Sequence, residues 1–279
     1  MARTPSLDFR VKPVIGVIHL PPLPGAPRYR GDDVDELAEY AAGEASKLLT
    51  AGVDGVIVEN YGDKPFSIRV RNPLTLAAMT VVVRRVAEEV QYQIPVGVSL
   101  LRNSGPEAIA VAFASGASFV RVNAYCEPRV APEGILEPVM REVEEVRALI
   151  PRRVQVLADI DCKHSKPLTH AYNAIEAARE CVDRGDPDAI IVTGGRTSTP
   201  PPPGYVAAIA ASLAKPVLVG SGITPDNIRL YWNIASGFIV GTYLKEKGVT
   251  RNPVDVSRAK KLITLVKELR GRHDREAEK

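Results

Sequence analysis

Glutamine is almost missing from this chain of 279 residues, confined to Gln91, Gln93 and Gln155, while Arg, Glu and Pro are plentiful. Such a bias fits a heat-adapted source, where thermolabile side chains are few and stiff or ion-pairing ones are favoured. Cysteine is equally scarce. Cys126, Cys162 and Cys181 are odd in number and form no CxxC pair, which argues against a disulfide framework and against a structural zinc site. No apolar run approaches about 18 residues, so no segment is expected to cross a bilayer. The opening "MARTPSLDFRVKP" lacks an apolar signal core, and a cytosolic location is the expectation. An excess of one charge is absent too. The 36 basic and 33 acidic residues leave +3, which provides no field to attract nucleic acid or an anionic membrane.

What is present is a rhythm. With 45% hydrophobic residues the chain can bury a full core. Short Val/Ile-rich runs fall at 14–19, 53–59, 95–100, 118–123, 153–160, 188–193, 216–220 and 237–241, separated by segments of helical periodicity. Helix starts are marked by Asp33 with Glu36, read as a capping box, and by Asn72-Pro73, Gly105-Pro106 and Thr224-Pro225. Stops are marked by Gly in "AGVDGV", "SGASFV", "RGDPDAI" and "ASGFIV", where a left-handed residue can end a helix. Eight strand–helix units predict an α/β fold, a (β/α)8 TIM barrel of one domain spanning 1–279. Residues 1–12 are read as an extension, and the charged tail from Gly271 is expected to fray. An open doubly wound sheet is the rival, weakened because no G-x-G-x-x-G follows the first run.

The long inserts all follow strands, on the side where barrels carry their active sites. There the runs end in "VTGG" (192–195), "VGSG" (219–222) and "VGT" (240–242). Backbone N–H groups with no Cβ in the way can approach phosphate oxygens, and a helix opening at Thr224-Pro225 would add its dipole. Thr193, Gly194, Gly195, Gly220, Ser221, Gly222, Gly241 and Thr242 are therefore the candidate walls of a phosphate site, and a small phosphorylated ligand is the expected partner.

Strand alternation then selects the side chains that face the barrel axis. It turns inward His19, Glu59, Arg121, Asn123, Asp159, Asp161, Lys163 and Thr193. Charges near a barrel axis need partners or a task. Structural readings are a histidine pinning the Pro-rich loop, a Glu59–Arg121 ion pair and an Asp159–Lys163 pair. The functional reading makes Glu59, Asp159, Lys163 and His19 catalytic candidates for proton transfer, with Arg121, Asn123 and Asp161 contacting substrate. No cofactor is expected. A divalent metal on His19, Glu59, Asp161 and His164 is the lesser alternative, since no dense ligand spacing supports it.

With these residues in view, the chain resembles the BtpA/SgcQ family. The similar stretches are "IGVIHLPPLPGAP" (15–27), "GVDGVIVENYGDKPF" (52–66), "SLLRN" (99–103), "FVRVNAY" (119–125), "VLADIDCKHS" (156–165), "IIVTGGRT" (190–197), "VLVGSGITPDN" (217–227) and "GFIVGTYLKEKGVTRNPVD" (237–255). The resemblance implies a barrel of the ribulose-phosphate-binding type. One branch is linked to accumulation of photosystem I proteins, another to sugar-utilisation gene sets. It carries over shared positions and no catalytic assignments, and the chain departs from the family at Asp161, where a His is common. Three expectations follow: an enzyme acting on a small phosphorylated sugar or nucleotide-like compound, by isomerisation, lysis or N-glycosidic hydrolysis; a non-catalytic biogenesis or stability factor for a membrane complex; or a metal-dependent hydrolase. Association into a homo-oligomer through the helical shell would suit such a barrel.

Overall fold

The computed structural model describes residues 2–277, with side chains through residue 272. Parallel strands β1 (Val14–His19), β2 (Gly55–Glu59), β3 (Val96–Ser99), β4 (Phe119–Val122), β5 (Gln155–Ile160), β6 (Ala189–Val192), β7 (Val217–Val219) and β8 (Gly237–Val240) close into a barrel, β8 pairing with β1. Each lies within one of the Val/Ile-rich runs. Around them stand α1 (Val34–Ala51), α2 (Pro73–Glu89), α3 (Gly105–Ser115), α4 (Met140–Leu149), α5 (Ala174–Gly185), α6 (Pro203–Ala211), α7 (Ile228–Tyr231) and α8 (Val256–Ala277).

Alternation along the strands divides the apolar side chains into two layers. Ile15, Val17, Ile57, Phe119, Leu157, Ile191, Leu218 and Ile239 fill the barrel, whereas Val56, Val58, Val120, Val122, Val156, Ala158 and Ile160 pack outward on the helices. Burying one such side chain contributes about 1.5–3 kcal/mol, and a one-residue slip would exchange the layers, so the register is firmly set. The extension before β1 plugs the barrel floor. Leu7 joins the inner layer, its N–H donating to Gln155 Oε1 at 2.7 Å.

The helix signals hold at several ends and fail at others. Asp33 accepts from the Asp35 amide and Asn72 from the Leu74 amide, capping α1 and α2. Gly52 and Gly116 end α1 and α3 with φ of 87° and 88°. In "RGDPDAI", however, Gly185 is still helical and Asp186 takes the left-handed turn, while Gly237 of "ASGFIV" simply opens β8. The helix expected at Thr224-Pro225 is a turn instead, followed by the single turn of α7. Asn227 folds back on it, Oδ1 accepting from the Thr224 N–H and Nδ2 donating to the Gly222 carbonyl. At the C-terminus α8 continues to Ala277, through most of the tail expected to fray, and residues 278–279 lie outside the described residues.

Two features depart from the sequence reading. The insert after β4 supplies two strands of a small antiparallel sheet, Arg129–Ala131 and Gly134–Leu136, and the loop after β5 adds the third, Lys166–Pro167. Cys126, at the start of that insert, is disulfide-bonded to Cys181 on α5, with Cα atoms 5.2 Å apart. An odd cysteine count excludes complete pairing but not one bridge. Cys162 is the buried free thiol.

Candidate active site at the barrel mouth

Strand register assembles the upper layer of the barrel. His19 lies beside Glu59 across β1 and β2, Glu59 beside Ser99, and Ser99 beside Arg121. Glu59 accepts from Ser99 Oγ at 3.2 Å, and its other oxygen is 3.8 Å from His19 Nε2. Burial, followed by the nearby Lys245, Lys163 and Lys64, holds His19 well below its ordinary pKa, so this contact joins a neutral imidazole to a carboxyl group. The expected Glu59–Arg121 pair does not form. Arg121 instead makes a two-point pair with Asp159, and Asn123 Nδ2 donates to the same carboxylate at 2.6 Å. Asn123 Oδ1 in turn accepts from Arg102 at 3.0 Å. Asp159 is wholly buried with both oxygens bonded, so Arg121, Asn123 and Asp159 form an inner network below the groups that face the mouth.

Lys163 lies beyond the end of β5, in the neighbourhood of Arg121, Glu59 and Asp159. Its ammonium pairs with no carboxylate among the described residues, including Asp159. Burial and the Arg121 guanidinium lower its pKa, while Glu59 and Asp159 act in the opposite direction. Its backbone is held at two points, N–H to Thr193 Oγ1 at 3.1 Å and carbonyl to Arg102 Nη2 at 2.8 Å. Asp161 departs from the inward set. β5 ends at Ile160, Asp161 adopts φ of 51°, and its oxygens accept from Arg129 at 2.6 Å and Tyr205 at 3.0 Å. Alternation governs direction only while a strand lasts. His164 contacts Thr197 on the β6 loop at 2.9 Å. Among the described residues no three His, Cys, Asp or Glu side chains converge as metal ligands, so the four metal candidates are not brought together.

The tips of β7 and β8 do come together. A cavity of about 160 Å³ opens between them, lined by Gly222, Ile223, Thr224, Gly241 and Thr242, with Ser198 from the β6 loop. Among the described residues the N–H groups of Gly222, Ile223, Gly241 and Thr242 donate to no acceptor. All four residues line the cavity, and main-chain donors left without a protein acceptor are what an oxyanion site requires. The expected helix dipole is missing, because α7 is a single turn and the Thr224 amide is already taken. Charge comes instead from Arg258 in the first turn of α8. Its Nε donates to the Tyr243 carbonyl at 2.8 Å and its guanidinium lies 4.6 Å from the Tyr243 ring, leaving the terminal nitrogens at the cavity.

The remaining candidates shape this region without lining the cavity. Gly220 is buried, and a Cβ there would fall 2.5 Å from Ile191 and 3.5 Å from Arg121, so its bareness makes room for the inner network. Ser221 Oγ donates to the Arg196 carbonyl at 3.4 Å. Gly194 is packed under Thr199, and the Gly195 carbonyl accepts from the His164 amide at 3.2 Å. Sequence reasoning missed Arg258, Arg102, Ser198 and Thr224. Arg258 has no local signature, since it stands in a charged amphipathic helix and only the closed barrel brings it to the β8 tip.

A closed barrel of eight parallel strands, each followed on the outside by a helix, defines a TIM barrel. Solved structures with this fold include thiamine phosphate pyrophosphorylase from Pyrococcus furiosus, with TM-score 0.56 and 15% identity over 94% of this chain and 98% of that one. Another is phosphoribosyl anthranilate isomerase from Thermus thermophilus, with TM-score 0.54 and 12% identity over 92% and 99%. The BtpA family model matches residues 10–268, and this chain belongs to the BtpA family. An uncharacterized protein of Pyrococcus horikoshii is 43% identical over 264 residues, covering 95% of this chain and 99% of its own. The photosystem I biogenesis protein BtpA of Synechocystis is 37% identical over 257 residues, covering 92% and 88%. No helix among the described residues is long and apolar enough to cross a membrane.

Proposed function

We propose that this protein is an enzyme acting on a small phosphorylated compound, with the phosphate seated between β7 and β8. The observation that carries this reading is the 160 Å³ cavity itself, with Gly222 and Gly241 facing it and Arg258 as its cation. Four acceptor-less N–H groups and one guanidinium match the oxygens and charge of a phosphate monoester. Glu59 and Lys163 supply acid–base chemistry at the mouth. In this scheme Glu59 takes a proton from carbon beside a carbonyl, while the Lys163 ammonium hydrogen-bonds the carbonyl oxygen, where negative charge develops. His19, held neutral, relays or donates through Nε2. Isomerisation and aldol-type cleavage both use that arrangement, and N-glycosidic hydrolysis uses the same acid and base. The inner network of Arg121, Asn123 and Asp159 fixes the floor beneath it.

Calorimetric titration with inorganic phosphate and ribose 5-phosphate tests the binding step. The wild-type protein is expected to bind both, and Arg258→Gln to weaken both about tenfold or more, as loss of a charge-assisted contact does. Failure of either to bind overturns the reading. A panel of sugar phosphates followed by phosphorus NMR tests the chemistry: conversion is expected in wild type and lost in Lys163→Met with phosphate binding retained. The second reading, a biogenesis factor, draws on the name of the cyanobacterial relative. It is favoured if Lys163→Met preserves biological function while changes on the outer helices abolish it.

A further inference from the structure

A second cavity, of about 320 Å³, adjoins the first at the mouth and is built from the Pro-rich loop after β1, the loop after β2 and the segment following β8. Its polar lining is Arg28, Lys64, Arg251, Tyr40, Tyr61 and His19, with no carboxylate among them. None of the three cations forms an ion pair with an acid among the described residues, unlike Arg69, Arg85, Arg121, Arg129 and Arg270. Lys64 is held over the Tyr61 ring, its Nζ 3.5 Å from the centroid. Pro21 and Pro22 form a stiff wall. The His19 side chain is 9% exposed, and its buried Nδ1 has no hydrogen-bond partner among the described residues.

The two cavities meet across one ring. His19 lines the second, Gly241 lines the first, and a Cβ on Gly241 would fall 3.0 Å from His19 Cε1. Glu59 lies on the Nε2 side of the same imidazole. A molecule bridging the cavities would therefore pass the candidate acid–base group with one end among the β7–β8 amides and the other among three cations. Three like charges facing one solvent-filled space repel one another, and an anion there relieves that repulsion.

We propose that the ligand carries two anionic groups, a phosphate between β7 and β8 and a second phosphate or a carboxylate at Arg28, Lys64 and Arg251. This rests on the phosphate reading above and narrows the substrate class to bis-anionic small molecules.

The test is calorimetric titration of wild type, Arg28→Gln/Arg251→Gln and Arg258→Gln with four probes: inorganic phosphate, glycerol 3-phosphate, 3-phosphoglycerate and fructose 1,6-bisphosphate. Both substituted arginines of the double variant are exposed, so its fold should persist, which its melting curve verifies. In wild type at least one bis-anionic probe is expected to bind tenfold or more tightly than glycerol 3-phosphate, and the double variant to lose that advantage while keeping glycerol 3-phosphate affinity. A gain for 3-phosphoglycerate assigns a carboxylate to the second site, and a gain for fructose 1,6-bisphosphate assigns a phosphate. Equal affinity for mono- and bis-anionic probes, or an advantage that survives the double substitution, overturns the proposal while leaving the β7–β8 site standing. Glycerol 3-phosphate binding that Arg258→Gln leaves unchanged overturns the β7–β8 reading instead.

Discussion

Arg121 on β4 and Asp159 on β5 meet through two hydrogen bonds, Nε to Oδ1 at 3.1 Å and Nη2 to Oδ2 at 2.9 Å, their side chains 3% and 0% exposed. Asn123 adds a third donor to the carboxylate. Every donor in this cluster needs that negative charge. Asp159→Asn keeps the shape, leaves the guanidinium uncompensated and turns an amide donor toward other donors. Removing one partner of a buried pair costs about 3–5 kcal/mol, so the variant is expected to unfold at a markedly lower urea concentration. Unfolding at the wild-type midpoint, with turnover lost, would assign Asp159 to the chemistry instead.

His19 gives stability a dependence on pH whose sign is fixed. Its pKa is lowered in the folded protein, so the unfolded chain binds the proton first as pH falls through about 6.5. Stability is then lost toward acid, by up to about 1.4 kcal/mol per pH unit for one proton, and is fully present above that pH. His164 is shifted in the same direction by burial, so the comparison must be made against a single variant. His19→Asn is expected to flatten the slope of unfolding free energy between about pH 5 and 6.5 by roughly one proton. An unchanged slope would mean that His19 keeps its ordinary pKa in the folded protein.

The bridge between Cys126 and Cys181 closes a loop across a sequence separation of 55 residues. Such a cross-link typically stabilises by about 2–4 kcal/mol, largely through the unfolded chain. Reduction should lower the melting temperature, and the fully unfolded, unreduced protein should react with a thiol reagent at Cys162 alone. Cys181→Ser should melt like the reduced wild type. Three reactive thiols without reductant would show that the bridge does not form.

What was legible in the sequence and what was not divides along physical lines. Strand alternation and glycine-marked strand exits are local, and they placed the barrel strands, the inner and outer layers and the bare tips at Gly222 and Gly241. Partner choice is not local. Glu59 and Asp159 both lie within reach of Arg121 by parity, and only the register of β4 against β5 gives the pair to Asp159. Leu7 closes the floor from a segment with no periodicity, and Arg258 reaches the β8 tip from a helix whose polar face looks like any solvated one. Asp161 obeyed the alternation on paper, but the strand stopped one residue earlier and the chain turned it toward Arg129.

Gly222 and Gly195 make a matched pair for testing the bare tips. Gly222 has φ of +68°, and a Cβ there would fall 2.6 Å from the Thr199 carbonyl carbon and from Pro200 Cδ, and closer still to the Pro200 nitrogen. These atoms are backbone or stiff ring, so they cannot swing aside as a long side chain would. Gly222→Ala must either push the β6 loop away or change φ, and both move the amides that face the β7–β8 cavity. The expected cost is about 1–2 kcal/mol or more in stability from the left-handed conformation alone, with inorganic phosphate affinity falling at least tenfold. Gly195 has no atom within 4 Å of a built Cβ and no positive φ. Gly195→Ala is therefore expected to leave stability within about 0.5 kcal/mol of wild type. Thermal melts and phosphate titrations of the two variants separate the alternatives. Equal effects would mean that glycine at the strand tips serves loop folding in general, whereas a loss confined to Gly222→Ala ties anion binding to the close approach of the β6 and β7 loops.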